Sequence, residues 1–443
     1  MVTLNATWGA ARGSVLLLAA VVLLGWASSA SAGGATAQPP ILSDSAASDL
    51  PAGYIVFPKI VVHTTGAQAQ PPVAVGGTVF DTLIQLTNTD QHNPINVDCW
   101  WVNANSHCGG TRDGTICTTN AQCPTGQTCK QLWTVLDFQI RLTPGQPIAF
   151  TAATGLNRIP CDPLFPGPGC PGAPANKAAG LIRPVPEDPF TGELKCVEVD
   201  NDDDPVAANH LKGEATVVST IAQPPPPALP ILPGVTTAAA YNGIGFQADE
   251  TFTPLRVPTD PLCLGDLPPG TPATIHCSQQ YVPCPGVLIL NHFFEGAKPE
   301  IGGVVNTELV LVPCSEDLGN PTRSAAFQVP AEFLIYNEFE QRLSTRATVS
   351  CYRSTTLADI DTAPGPGGDS FSAFAVGVQG TLVGQTRIRG VQQAPTGLGF
   401  GLIGVACENY HQTSLTGPIL SRTAFNLHQE GFRAEGDAVY LFH

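Results

Sequence analysis

The sequence predicts an all-β protein of two tandem β-sandwich domains with disulfide-rich loops. Three observations support this fold class. Short apolar runs alternate with 45 glycines and 42 prolines, which break regular structure at close intervals. Charged residues make up 13% of the 443-residue chain, against about 25% in typical soluble domains, so long amphipathic helices are not expected. Fourteen cysteines supply the crosslinks of the loops.

Alternation of polar and apolar residues identifies the clearest strands. Residues 82–87 and 308–312 alternate strictly, as in a strand with one buried face. Other strands are predicted, in chain order, at 54–62, 97–102, 196–199, 287–292, 333–337, 347–352, 374–377, 401–405 and 439–442. So many short strands favour sandwiches over an α/β fold.

Residues 1–32 have the three parts of a secretory signal peptide. Arg12 is followed by an apolar run over 15–26 and by the small-residue tail Ala30-Ser31-Ala32, which predicts cleavage after Ala32. Residues 33–52 are interpreted as a flexible N-terminal segment. The mature chain contains no further apolar run long enough to span a membrane. We therefore expect a secreted protein, extracellular or at the cell surface.

A proline-rich segment, QPPPPALPILP at 223–233, divides the mature chain. Such a segment is a stiff, extended spacer. We place domain 1 at 53–222, the linker at 223–234 and domain 2 at 235–443, and we expect fragments 33–222 and 235–443 to fold separately. Eight cysteines precede the linker and six follow it, so each half can close its own disulfides.

The cysteines suggest particular pairings within each half. We expect a closed set within the insert, a Cys161–Cys170 link, a Cys99–Cys196 bridge between two strands and a Cys314–Cys351 pair, with no bridge between the halves. The first half contains Cys99, Cys108, Cys117, Cys123, Cys129, Cys161, Cys170 and Cys196, and the second contains Cys263, Cys277, Cys284, Cys314, Cys351 and Cys407.

Three segments recur in the same order in the two halves, which indicates a duplicated sandwich. GGTVFDTLIQL at 76–86 corresponds to GGVVNTELVL at 302–311, and DFQIRLT at 137–143 corresponds to EFEQRLS at 338–344. The third pair is LKGEATVV at 211–218 and LVGQTRIR at 382–389.

In the first half, TLIQLTNT, NVDCWWVN, DFQIRLT and LKCVEVD follow one another as strands. This order resembles that of bacterial secreted proteins with tandem immunoglobulin-like domains, a family likeness that implies no particular activity. The cysteine, tryptophan and tyrosine spacing of antibody domains is missing.

The insert at about 103–131 contains HCGGTRDGTICTTNAQCPTGQTC and resembles short cysteine-rich inserts of Dickkopf type. Zinc is the competing interpretation of this insert, but CxxC pairs are missing and His107 is the one nearby imidazole, so we favour disulfides.

An acidic run at 200–204 offers oxygen ligands for calcium, with Asp200, Asp202 and Asp204 as the candidate ligands. The alternative is a solvated turn between two strands, where Asp and Asn are common for turn geometry alone. No EF-hand spacing follows the run, so the turn is favoured. No other cofactor is expected.

Motif searches provide no support for an enzyme. GxSxG and HExxH are absent, and Gly368-Asp369-Ser370 falls in a predicted loop. His292 beside Glu295, His411 and His428 have no partner motif, so we interpret them as surface or strand-end histidines.

Trp100 and Trp101 are successive strand residues, so one of them must point away from the core. The outward ring is a candidate ligand contact for sugar; the alternative, which we favour, places it beneath the cysteine insert.

The net charge of −16 comes without a basic stripe in the sequence, which disfavours nucleic acid and anionic lipid as partners. The sequence does not identify the partner; a protein or a glycan at the cell surface is the candidate. The leading hypothesis is a non-catalytic secreted or surface protein with a structural or adhesive role. The alternative is an extracellular carbohydrate-binding or accessory protein of a degradative system.

Overall fold

We analysed a computed structural model of the chain. The structure describes residues 49–64, 78–131, 134–156, 182–203, 205–206, 208–221, 236–248, 281–282, 285, 287–298, 303–313, 328–360, 363–364, 370–371, 383–390, 401–411 and 419–429. All of them belong to one compact unit, 42–443. The signal peptide, the proline-rich linker and the predicted strands at 374–377 and 439–442 lie outside the described residues.

The described part of the chain is all-β, with two short 3-10 turns, Asn120–Gln122 and Leu357–Asp359, and no helix long and apolar enough to cross a membrane. The strands before the linker are β1 (Tyr54–Val62), β2 (Thr78–Asn88), β3 (Ile95–Asn103), β4 (Ser106–Cys108), β5 (Ile116–Cys117), β6 (Cys129–Gln131), β7 (Thr134–Leu142), β8 (Pro147–Thr151), β9 (Phe190–Val199) and β10 (Leu211–Ile221).

The strands after the linker include those that the sequence predicted at 287–292, 333–337, 347–352 and 401–405, each with shifted or longer bounds. They are β11 (Thr236–Asn242), β12 (Ile244–Phe246), β13 (Val287–Phe293), β14 (Gly296–Lys298), β15 (Gly303–Pro313), β16 (Gln328–Asn337), β17 (Arg342–Ser350), β18 (Arg353–Thr356), β19 (Ala363–Pro364), β20 (Ser370–Phe371), β21 (Val383–Gly390), β22 (Leu402–His411), β23 (Ile419–Asn426) and β24 (His428–Gln429).

Four larger sheets carry most of these strands, and all of their pairings are antiparallel. Sheet 1 has the order β11-β10-β2-β8, and sheet 2 has the order β12-β1-β9-β3-β7. Sheet 3 has the order β14-β15-β22-β23, with β18 also paired to β15, and sheet 4 has the order β17-β16-β21-β13-β24.

Three apolar layers join the four sheets, and sheet 3 also reaches the first of them, because that layer includes Val405 and Cys407 of β22. Phe57, Trp101 and Leu194 of sheet 2 pack with Ile84 and other residues of sheet 1. The opposite face of sheet 2 packs on sheet 3 through a second layer made of Tyr54, Val56, Val102, Val197, Phe246, Val310, Val312 and Ile403. The remaining face of sheet 3 packs on sheet 4 through a third layer, which includes Leu309, Leu311, Leu290, Phe333 and Ile388.

Burial on both faces explains the sequences of the central strands. β1 and β9 are buried along almost their whole length, so apolar residues follow one another without strict alternation. β2 has one face toward the core and alternates between buried and more exposed side chains, as its sequence predicts.

The sheet pairing differs from the predicted domain boundary. β11 pairs with β10, and β12 pairs with β1, although both strands follow the proline-rich segment. Residues 236–246 therefore complete the sheets of the first half, whereas the sequence analysis assigned them to domain 2. The second apolar layer also joins the two halves directly, which a stiff spacer between separate domains does not predict.

The recurring segments do not occupy equivalent places. In the first half, β2 pairs with β10. Their counterparts lie in different sheets, because β15 pairs with β22 in sheet 3 and β21 pairs with β16 and β13 in sheet 4. Alternating strands of similar composition produced the likeness.

Candidate functional site

The cysteine-rich insert is a small knot held by two disulfides. Its three strands have the order β5-β4-β6. Cys108 is bonded to Cys123, and Cys117 is bonded to Cys129, so the four cysteines close the insert on itself as expected. Among the described residues, one group of three metal-ligating side chains is close enough to hold an ion, and its members, Cys108, Cys117 and Cys123, all form these disulfides.

A buried histidine anchors the insert to the first half. Nδ1 of His107 lies 2.7 Å from the carbonyl oxygen of Gly114, and Nε2 lies 3.1 Å from Oε2 of Glu187. The amides of Asn103 and Asn105 donate to Oε1 of Glu187 at 2.6 and 2.7 Å. The base of the insert is therefore fixed, while residues 118–122 are exposed.

Of the predicted pairings outside the insert, the structure describes the Cys99–Cys196 disulfide, which joins β3 to β9 as expected. Cys351 and Cys407 are buried in the second half. Cys161, Cys170, Cys263, Cys277, Cys284 and Cys314 lie outside the described residues, so the pairings Cys161–Cys170 and Cys314–Cys351 stay predictions.

The predicted calcium ligands lie in the turn that follows β9. The backbone N–H of Asp202 donates to Oδ1 of Asp200 at 2.8 Å, which is the contact of an Asx turn. Asn96 donates to the side chain of Asn201 at 3.2 Å. Asp204 lies outside the described residues, and within them no third ligating side chain joins the two aspartates.

Neither tryptophan is an open sugar platform. Trp101 is fully buried between Phe138, Phe150 and Phe190, and its indole N–H donates to the Arg183 carbonyl oxygen at 2.9 Å. Trp100 points to the other face of sheet 2, where it is half-buried against the second apolar layer. Both rings pack against apolar layers, so the arrangement favours a packing role for the two tryptophans over ligand contact.

Two of the candidate histidines are buried rather than at the surface. Nε2 of His292 lies 2.8 Å from Oγ1 of Thr386 on the neighbouring strand. Nε2 of His411 lies 3.4 Å from Oδ1 of Asn306. Packing between sheets, which a single sequence does not reveal, covers both rings.

The layer between sheets 2 and 3 contains buried charges. Glu193 and Lys195 on β9 are 0% and 1% exposed, and Nζ lies 3.0 Å from Oε1. Burial raises the pKa of Glu193 and lowers that of Lys195, and each partner offsets the other's shift. Oε2 of Glu193 accepts no hydrogen bond from the described residues. Burying the two charges of this pair therefore carries a large desolvation free energy.

A second ion pair crosses from sheet 2 to sheet 3. Nζ of Lys59, which lies in a bulge of β1, contacts Oε1 of Glu308 on β15. Burial raises the pKa of Glu308, but Lys59 and a hydrogen bond from Ser354 lower it below its usual value overall. The Tyr241 hydroxyl donates to the Lys59 carbonyl at 2.6 Å. These contacts bind the two halves of the chain across their common layer.

Glu295 is a buried carboxyl beside the short turn at Leu357–Asp359. Burial raises its pKa to about 7, against hydrogen bonds from the N–H groups of Ala358, Thr307 and Leu357, which lower it. The negative charge of Asp359 raises it further.

We expect Glu295 to make stability depend on pH. Its pKa is higher in the folded chain than its ordinary value of 4.5, so ionisation favours the unfolded state between about pH 4.5 and 7. The wild type should lose stability relative to Glu295→Gln over this window, as measured by urea unfolding at pH 4, 6 and 8. Glu340→Gln, at an exposed position, should follow the wild type. Parallel curves for wild type and Glu295→Gln would contradict the assignment.

The outer face of sheet 4 carries an unusual concentration of arginine. A depression of about 730 Å³ is lined there by Val287, Glu332, Phe333, Leu334, Arg342, Ser344, Thr345, Arg346, Arg387 and Arg389. Four of the chain's 20 basic residues thus gather on one face of a protein with net charge −16. We call Arg342, Arg346, Arg387 and Arg389, with the side chains between them, the arginine face.

Cross-strand register produces the arginine face. Glu332 of β16 lies opposite both Arg346 of β17 and Arg389 of β21. Arg346 forms an exposed ion pair with Glu332, and Arg387 lies opposite Leu334. No basic stripe is visible in the sequence because these residues become adjacent only after folding. The signal in the sequence was R-x-R at 387–389, which places two arginines on one face of a strand.

Comparison with known proteins gives no family assignment. No known protein family and no curated protein matches the chain. Among solved structures, the CupB6 tip adhesin of Pseudomonas aeruginosa has 9% sequence identity and a TM-score of 0.11, over 85% of this chain and 99% of the adhesin's chain. A likeness of this degree carries no argument about fold or function.

Proposed function

We propose that the chain is a non-catalytic, secreted or cell-surface protein with a structural or adhesive role, and that the arginine face is its contact surface. The observation that carries this proposal is the location of four exposed arginines on the outer face of sheet 4, whose other face packs on sheet 3. A broad, open sheet face suits a large partner, whereas small substrates are usually held in deeper, more apolar clefts.

The rest of the architecture supports a structural role. Two buried ion pairs lie in the layer between sheets 2 and 3: Glu193 pairs with Lys195 along β9, and Lys59 pairs with Glu308 across the two sheets. Disulfides within sheet 2 and within the insert crosslink the first half of the chain. Disulfides persist in oxidising compartments, which agrees with an exported protein.

A bead-attachment assay tests this proposal. Beads coated with the oxidised mature chain should attach to bacterial cells under flow, and attachment should fall when Arg342, Arg346, Arg387 and Arg389 are all replaced by Gln. The matched control removes four other exposed positive charges, at Arg112, Lys130, Arg183 and Lys212, and should attach like the wild type. Failure of the wild type to attach, or equal attachment by both variants, would refute the adhesive role of this face.

A further inference from the structure

The arginine face continues into an apolar and aromatic end. Phe339, in the turn between β16 and β17, is 58% exposed, and Val383 at the start of β21 is 41% exposed. These are two of the three large apolar side chains that stand out as exposed among the described residues. The backbone N–H of Val383 donates to Glu338 at 3.4 Å, so the turn and β21 lie side by side.

A row of polar side chains connects this end to the arginines. Tyr336 lies opposite Arg342 on β17 and opposite Gln385 on β21, and Gln385 lies opposite Asn291 on β13. The Gln385 amide donates to Oδ1 of Asn291 at 3.2 Å. Guanidinium groups, amides and aromatic rings therefore lie side by side across the four adjacent strands β17, β16, β21 and β13.

This combination of groups indicates the chemistry of a ligand. The planar guanidinium of arginine matches a carboxylate in a bidentate contact. Amide side chains both donate and accept hydrogen bonds, as hydroxyl groups require. An exposed aromatic ring offers an apolar surface with a polar edge, on which a sugar ring can lie. Carboxylates, hydroxyls and ring faces occur together in acidic polysaccharides.

The spacing of the arginines favours an acidic polysaccharide over nucleic acid as the ligand. Arg387 and Arg389 are about 7 Å apart along their strand, and Arg342 and Arg346 are about 13 Å apart, at roughly 3.3 Å per residue. Duplex DNA carries one negative charge per 1.7 Å of its axis. A net charge of −16 opposes so dense a polyanion more than it opposes a chain with one carboxylate per sugar.

We propose that the arginine face, with Tyr336 and Phe339, binds an acidic polysaccharide whose carboxylates are spaced along a sugar chain. This inference rests on the proposed adhesive function and names the partner of the same face. The carboxylates contact Arg342, Arg387 and Arg389, and the sugar rings lie toward the aromatic end of the sheet.

Affinity electrophoresis of the oxidised mature chain tests the inference, with polygalacturonate as the acidic probe and dextran as the neutral one. Polygalacturonate should retard the wild type, and dextran should not. Arg387→Gln/Arg389→Gln should weaken binding about tenfold or more, since each substitution removes a charge-assisted contact. Arg387→Lys/Arg389→Lys should weaken it less, because charge is kept while the bidentate geometry is lost.

Two controls keep the test decisive. Arg112→Gln/Arg183→Gln removes the same charge elsewhere and should bind like the wild type. Phe339→Ser should weaken binding without removing charge, and thermal melting should show that each variant folds. Equal retardation by dextran, stronger binding to duplex DNA, self-association of the chain through this face, or unchanged affinity in the Arg387/Arg389 variant would overturn the inference. If beads attach through the arginine face while polygalacturonate is not bound, the adhesive function stands and this inference fails.

Discussion

A fragment comprising residues 33–222 is expected to remain unfolded even when its disulfides form. It lacks β11, which pairs with β10 along most of that strand's length, and β12, which forms an edge of sheet 2 beside β1. It also lacks Tyr241 and Phe246, two buried aromatic rings of the first and second apolar layers. Losing two such side chains costs about 3–5 kcal/mol each, which together is comparable to the whole stability of a typical domain.

Near-ultraviolet circular dichroism and thermal melting of oxidised fragments measure this effect. A longer fragment, 33–248, restores both strands and should show native-like tertiary structure, but it exposes the face of sheet 2 that sheet 3 covers. We expect it to aggregate unless residues 249–443 are expressed with it. A cooperative transition for 33–222 alone, near the melting temperature of the whole chain, would restore the boundary that the proline-rich segment predicts.

Lys195→Met is expected to destabilise the protein by about 3–5 kcal/mol, because it leaves the Glu193 carboxyl buried without its cation. Methionine fills a similar volume, so lost packing contributes little. Chemical unfolding at neutral pH measures the change. The loss should shrink at acidic pH, where Glu193 becomes protonated and its buried charge disappears.

The double variant Glu193→Leu/Lys195→Met separates the ion pair from its surroundings. It removes both charges, so its stability should return toward that of the wild type or exceed it. Arg346→Met, which breaks the exposed pair with Glu332, should cost less than about 1 kcal/mol. A double variant as unstable as Lys195→Met would mean that the pair itself is not the source of the loss.

The sequence predicts individual strands well, including strands that are buried on both faces. β2 and β15 contain the alternation that identified them, and the predicted bounds of β1 agree with the structure. The two successive tryptophans were harder to interpret. Strand alternation shows that Trp100 and Trp101 point to opposite faces of the sheet, but it does not show that apolar side chains of other sheets cover both faces.

Long-range pairing accounts for what the sequence could not show. The proline-rich segment indicates a break in regular structure, yet the strands beyond it return to sheets 1 and 2, which local composition does not encode. The arginine face likewise depends on β16, β17 and β21 lying side by side. The cysteine-rich insert was more predictable, because its crosslinks close short loops between neighbouring turns.

The Cys99–Cys196 bridge has a consequence for the order of events during folding. It joins residues that lie directly opposite one another on β3 and β9. A slip of one residue between these strands would turn Glu193 and Lys195 into the apolar layer around Trp101. Once the bridge forms, β3 and β9 can no longer pair in that shifted register. The N-terminal half is synthesised first. The bridge can therefore hold β3 and β9 in register before sheet 3, which covers Glu193 and Lys195, has been synthesised.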